Sequence, residues 1–185
     1  MGTFLGLKMA ERSPSAPSAE ARTYHPPMPL RNPADLLASL PAKAPLLGLD
    51  LGTRTIGIAV SNPERTLASP RETIRRTKLK NDLPLLLKLI DAEQSAAIVL
   101  GLPLNMDGSE GPRCQATRQF AADLLKARDI DVVLWDERLS TVAVTRTMIE
   151  ADLSRARQGE VVDRMAAAYI LQGFVDWLAA QRDRP

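Results

Sequence analysis

LLGLDLGTRTIGIAVS, residues 46–61, is the stretch whose reading decides the fold. Leu47, Leu49 and Leu51 alternate with Leu46, Gly48 and Asp50, a period of two that marks a strand and puts Asp50 on the face carrying little bulk. Gly48 leaves room beside that carboxylate. After Gly52 the segment Thr53, Arg54, Thr55 reads as a turn, and residues 56–60 as a returning strand whose Gly57 admits close approach of another backbone. A β-hairpin is expected. Burying an ionised carboxylate without compensation is costly, so Asp50 calls for a metal ion, a hydrogen-bonded turn or a strand end open to solvent.

The sequence has 185 residues, enough for one domain with a sizeable core. Its formal net charge of +2 is small, so composition alone does not mark a nucleic-acid binder, although a pI near 8.9 leans basic. With Cys114 the single cysteine and His25 the single histidine, an internal disulfide and a His-rich metal site are both excluded. Any metal must be held by oxygen. No segment approaches the ~20 apolar residues that span a bilayer and the first residues carry no secretory pattern, so a cytoplasmic protein without membrane contact is expected.

Outward from the hairpin, residues 1–30 are rich in Pro, Ser and Ala without apolar period, which reads as a disordered tail. Residues 31–45 hold a short helix, started by Asn32 and Pro33, and a linker; residues 46–182 form the main domain. Residues 67–74 read as a third strand, at an edge because of Pro70. A helix capped by Asn81 or Asp82 follows, with Leu83, Leu86, Leu87 and Ile90 on one face, then a buried strand over 97–102 and a loop over 103–111. Phe120, Leu124 and Leu125 mark the next helix, residues 131–135 a fifth strand, and two further helices are expected over 141–152 and 162–180, separated by a polar segment with Arg155 and Arg157. This order gives an α/β fold: a mixed five-stranded sheet of ribonuclease H-like order, a three-stranded antiparallel meander plus two parallel strands, flanked by helices.

Sheets of this kind carry chemistry where strand ends and loops converge, which singles out Asp50, the loop after Leu102, and Asp136 with Glu137. Asp163, in line with Ala167, Ile170, Leu171, Phe174 and Leu178, falls on or beside the packing face of the last helix; a first-turn acid favoured by the helix dipole is the bland alternative. Only one of Asp136 and Glu137 points into a common cleft, and strand periodicity does not choose between them. Three converging carboxylates would repel unless a hard divalent cation such as Mg²⁺ or Mn²⁺ joined them, with waters and substrate phosphate oxygens completing its shell. Two such ions ~3.5 to 4 Å apart suit phosphodiester hydrolysis.

Positive charge gathers separately. Arg71, Arg75, Arg76, Lys78 and Lys80 run from the third strand into the following helix, placed to grip phosphates or to form an ordinary solvated edge. Asn105, Asp107 and Gly108 either shape a substrate path or make a structural turn, and Arg138 either contacts phosphate or pairs with an acid.

With these segments in view, the chain resembles the YqgF/RuvX family of ribonuclease H-fold nucleases, relatives of the Holliday-junction resolvases. The resemblance spans about residues 46–178 and rests on GLDLG at 48–52 with IGIAVS at 56–61, GLPLNMDG at 101–108, DERLST at 136–141 and DRMAAAYILQ at 163–172. It implies a metal-dependent nuclease acting on RNA, in maturation of the 5′ end of pre-16S ribosomal RNA and so near ribosomal precursor particles. It further implies that the catalytic and metal-holding acids are Asp50, Glu137 and Asp163, with Asp50 bridging the ions and Asp136 bracing a turn; the charge pattern and loop placement, rather than the resemblance, offer Arg71, Arg75, Arg76, Lys78, Asn105 and Arg138 as nucleic-acid contacts. A branched-DNA resolvase and a non-cutting RNA-binding assembly module of the same fold are the alternatives, and monomer and homodimer both remain open. An actin-like ATPase, suggested by Asp50, Gly52 and Thr53, is disfavoured because one lobe uses the whole chain.

Overall fold

The computed structural model describes residues 30–139 and 158–182. The expected tail, the helix expected over 141–152, and Arg155 with Arg157 lie outside the described residues. Within them run α1 (Pro33–Ser39), β1 (Leu46–Leu51), β2 (Thr55–Ser61), β3 (Ala68–Arg75), α2 (Leu79–Ala92), β4 (Ala97–Leu102), α3 (Pro112–Ala127), β5 (Asp131–Asp136), a 3-10 turn (Glu137–Leu139) and a 25-residue closing helix, α4 (Gln158–Arg182). The sheet order is β3-β2-β1-β4-β5, with β1 antiparallel to β2, β2 antiparallel to β3, and β4 and β5 parallel to β1. This is the ribonuclease H-like arrangement expected from the order of elements.

The strand that opens the sheet lies at its centre, and all six of its residues are buried. One face, carrying Leu47, Leu49 and Leu51 with Ile56, Ile58, Ile98 and Leu100, packs on Leu86 and Ile90 of α2 and Phe120 and Leu124 of α3. The other, with Leu46, Ala59, Val99, Val133 and Trp135, packs on Ala167, Ile170, Leu171 and Phe174 of α4. Asp50 belongs to that second face. The space expected beside it at Gly48 is filled, because a Cβ built there would stand 2.6 Å from Leu171 Cβ. At Gly57 a Cβ would meet the Asp163 carbonyl oxygen at 2.0 Å, so the α4 backbone lies directly on the β2 backbone.

The margins follow from local chemistry. β3 is an edge strand as Pro70 indicates, and the register steps from Ile58↔Glu72 to Ala59↔Pro70, a bulge with Arg71 as the extra residue. At the opposite edge, α1 sends Leu36 into the core, Arg31 N–H donates to the Val132 carbonyl at 2.9 Å, and Arg31 Nε meets Asp131 Oδ1 at 2.8 Å. This cover shields an otherwise open strand edge. Arg65, at a left-handed φ of 56°, donates through Nη2 to the carbonyls of Pro41 and Ala42 and pins the connection into β1. Asn32 caps α1 as expected, accepting from Ala34 N–H at 2.9 Å.

The start of α2 differs from expectation. The helix begins at Leu79 behind Lys78, and neither Asn81 nor Asp82 caps it. Asp82 turns back instead, its carboxylate accepting from Thr77 N–H at 3.0 and 3.1 Å and from Thr77 Oγ1 at 2.8 Å. A buried acid accepting from two donors of Thr77 holds the chain entering the helix in place of a cap.

Gly57→Ala is expected to destabilise the protein by about 1–3 kcal/mol, the cost of overpacking, because a helix backbone must move. Gly111→Ala, whose Cβ would meet Asn105 at an ordinary 3.7 Å, meets no such clash and should cost only the weaker capping of alanine at the start of α3, about 0.5–1 kcal/mol. Urea unfolding of both variants checks the difference.

Candidate active site

Asp50 is 1% exposed, which removes the strand end open to solvent from its possible explanations. Its cross-strand partner in β2 is Gly57, and neighbours directly opposite share a face. On its other side Leu49 pairs with Leu100, so the next residue of β4, Gly101, flanks Asp50. Glycine on both sides leaves the space above the sheet to other elements, and each space is taken by an acidic residue. The Asp163 backbone covers Gly57, while a Cβ at Gly101 would stand 2.8 Å from Glu137 Oε1 and 2.6 Å from Ile170 Cδ1.

Asp163 reaches this corner because α4 is seated on Gly57, and its Oδ2 accepts a 2.6 Å hydrogen bond from Thr55 Oγ1. Glu137 reaches it because β5 ends at Asp136 and the 3-10 turn carries the next side chain back over Gly101. Trp135, the partner of Gly101, shares that face. Asp136 faces away and braces the turn: its Oδ1 accepts from Arg138 N–H at 2.9 Å and Nε at 3.0 Å, and its Oδ2 from Nη2 at 2.7 Å. The choice between Asp136 and Glu137, which strand alternation left open, thus has a geometric answer for which side chain lies on the α4 face.

All three side chains offer only carboxylate oxygen, the donor type of a hard cation. Among the described residues no group of three or more His, Cys, Asp or Glu stands together so as to hold a metal ion on its own. The donor set therefore fits a cation taken by one or two carboxylates, with phosphate oxygens and water as the remaining ligands, which is the ordinary manner of Mg²⁺.

The loop 103–111 follows β4 and is internally closed. Asn105 N–H donates to the Ser109 carbonyl at 3.0 Å, Gly108 N–H to the Asn105 carbonyl at 2.9 Å, and Asn105 Nδ2 to Ser109 Oγ at 2.9 Å, with Gly108 at a φ of 86°. Asp107 Oδ1 accepts from Ser109 N–H and Oγ at 2.9 and 2.6 Å, and these bonds, the hydroxyl's first, hold its carboxyl below the usual carboxylate range. Arg138 ties the loop to β5, its Nη1 lying 3.5 and 3.4 Å from the carbonyls of Asn105 and Met106. Its hydrogen bonds hold the Asp136 carboxyl low, and Asp136 in turn raises the guanidinium. Cys114 is buried, its thiol donating to the Pro103 carbonyl at 3.0 Å.

The basic residues divide. Arg75 is the register partner of Thr55, on the face of Asp163, and is exposed. Lys78 is also exposed, where α2 begins. Arg71 pairs with Glu93 at 2.6 Å, away from the acids. Arg76 supports the hairpin, with Nη1 donating to the Gly52 carbonyl at 2.5 Å and N–H to the Arg54 carbonyl at 2.8 Å. Sequence reasoning missed Thr55 and Gly101; Gly101 lies at the end of an apolar strand, where a glycine signals close approach, but Thr55 carried no signal.

The family model described as RuvX, Holliday junction resolvase, matches residues 44–177. A protein of Paramagnetospirillum magneticum named "Putative pre-16S rRNA nuclease" is 60% identical over 149 residues, covering 80% of this chain and 96% of its own. A protein of Rhodospirillum rubrum bearing the same name is 58% identical over 156 residues, covering 84% and 97%. Among solved structures, Thermus thermophilus RuvC in complex with a Holliday junction substrate aligns at 12% identity and a TM-score of 0.48, over 76% of this chain and 96% of that one.

Arg138→Gln should release both groups the arginine holds. In the folded state Asp136 is depressed, so its contribution to stability is complete above the ordinary carboxylate value and is lost as pH falls through the depressed one. In the variant the Asp136 midpoint, followed by carboxyl ¹³C NMR, should rise toward the ordinary carboxylate range, and amides 105–109 should exchange faster. An unchanged midpoint with unchanged exchange contradicts the tie that Arg138 makes between Asp136 and the loop.

Proposed function

The chain belongs to the RuvX family, and from that membership we propose that it is a divalent-cation-dependent nuclease hydrolysing phosphodiester bonds of RNA, with the 5′ end of pre-16S rRNA as substrate. The observation that carries this reading is the corner around Asp50, where Gly57 and Gly101 lie under Asp163 and Glu137. The 60% and 58% identical relatives, matched over nearly their full length, support the RNA substrate through their names. Such a substrate belongs to ribosomal precursor particles in the cytoplasm. No described helix is long and apolar enough to cross a membrane.

In this mechanism Asp50, Glu137 and Asp163 are the catalytic residues and would hold Mg²⁺ or Mn²⁺. The cation, when bound, lowers the pKa of an attacking water and offsets charge developing on the phosphate. The chain's own contribution is positioning. Asp50 is fixed by the central strand, Asp163 by the seat of α4, and Glu137 by the turn after β5. Burial of Asp50 keeps bulk water from competing for its oxygens. Arg75, the exposed register partner of Thr55 at the sheet edge, meets the phosphate backbone with Lys78. The loop 103–111, closed by Asn105, borders the path of the strand.

Purified protein given a 16S precursor fragment and, separately, a four-way DNA junction tests this. Cleavage of the RNA with Mg²⁺ or Mn²⁺ is expected, abolished by EDTA and lowered in Asp50→Asn, Glu137→Gln and Asp163→Asn by more than the about 10–100-fold that loss of a mere supporting partner causes, with RNA binding retained. Cutting of the junction alone would favour the resolvase alternative, and variants as active as wild type would refute the assignment. In binding titrations Arg75→Ala should reduce the salt slope by about 1, and Arg71→Ala should leave it nearly unchanged.

A further inference from the structure

Asp163 sits on a helix whose backbone is fixed by Gly57, but a helix backbone does not by itself orient a carboxylate, which retains its own χ torsions. That orientation comes from β2. Thr55 Oγ1 donates to Asp163 Oδ2 at 2.6 Å, in the range of a hydrogen bond to an ionised acceptor. The donor is itself well placed. Thr55 opens β2 opposite Arg75, and the turn before it is clamped by Arg76 through the carbonyls of Gly52 and Arg54. Gly52 lacks the side chain that would crowd it, since a Cβ there would stand 3.0 Å from the Thr55 carbonyl oxygen and 3.1 Å from Oγ1.

We propose that Thr55 is a positioning residue for the proposed nuclease: its hydroxyl sets the direction in which the Asp163 carboxylate meets the cation. This rests on the function proposed above and adds to the acids a residue that ligates nothing. Holding one oxygen of Asp163 from β2 removes rotamer freedom that cation binding would otherwise have to overcome. It also ties the carboxylate to the same strand that pairs with Asp50 through Gly57, so the two acids move with one piece of backbone. Arg75, the register partner of Thr55, lies on the same face.

Thr55→Val keeps the shape and removes the donor; Thr55→Ser keeps the donor and removes a methyl group. Metal-free crystal structures of both full-length variants, and Mn²⁺ titrations followed by electron paramagnetic resonance, form the test. In the Val variant Asp163 is expected to adopt another rotamer or split between two, and Mn²⁺ to bind about 10–100-fold more weakly. The Ser variant should restore both, and Thr55→Val should add nothing to Asp163→Asn. Asp163 unmoved in the Val variant, or Mn²⁺ affinity equal to wild type, overturns the proposal. Wild-type protein that binds no Mn²⁺ would instead remove the parent reading, and the metal-free structures would still decide whether Thr55 directs Asp163.

Discussion

A helix backbone lies on a strand backbone at Gly57 with no side chain between them, and the arrangement of the acids depends on that approach. A single added carbon would stand 2.0 Å from the Asp163 carbonyl oxygen. Ordinary helix-on-sheet packing keeps the layers about 10 Å apart through interdigitated side chains, and at such a spacing a short Asp side chain on the helix would not reach the sheet. Glycine removes the spacer at one end of α4, while Ile170, Leu171 and Phe174 fill the layer along the rest of it. The helix end is thereby brought down beside the one buried acid of the central strand.

The same device operates on the other side of Asp50. Gly101, next to the end of β4, carries no side chain, and Glu137 folds into the vacated volume from the turn after β5. Three carboxylates on one face are an electrostatic liability, and several of the arginines around them are engaged elsewhere. Arg138 is held by Asp136, Arg71 by Glu93, and Arg76 by backbone carbonyls of the hairpin. A divalent cation with a phosphate is the combination that matches an oxygen-only donor set of this kind.

Much of this was legible in the sequence, and the boundary of legibility is physical. Strict alternation around Asp50 gave the strand and its face, Pro70 gave the edge, and Gly57 gave a close backbone approach, because each reflects a constraint carried by one residue or its period. The partner of that approach was not legible: Gly48 was read as free space, yet Leu171 occupies it, since residues 123 positions apart meet only in the folded chain. The basic cluster was read as a unit, whereas the bulge at Arg71 and the turn at Gly52 separate its members. Asn81 and Asp82 looked like caps, but Asp82 found better donors at Thr77. Thr55 escaped notice because a threonine at a strand start is ordinary until an acid from a distant helix is set against it.

The central claim is that the seating of α4 brings Asp163 and Asp50 to one place where, with Glu137, they share a cation. Anomalous diffraction from crystals of the full-length protein soaked in Mn²⁺ tests it most directly. The account predicts an anomalous peak within ligand distance of an Asp50 oxygen and of at least one oxygen from Glu137 or Asp163. A peak elsewhere, or none at this corner at saturating Mn²⁺ with an oligonucleotide bound, would contradict it.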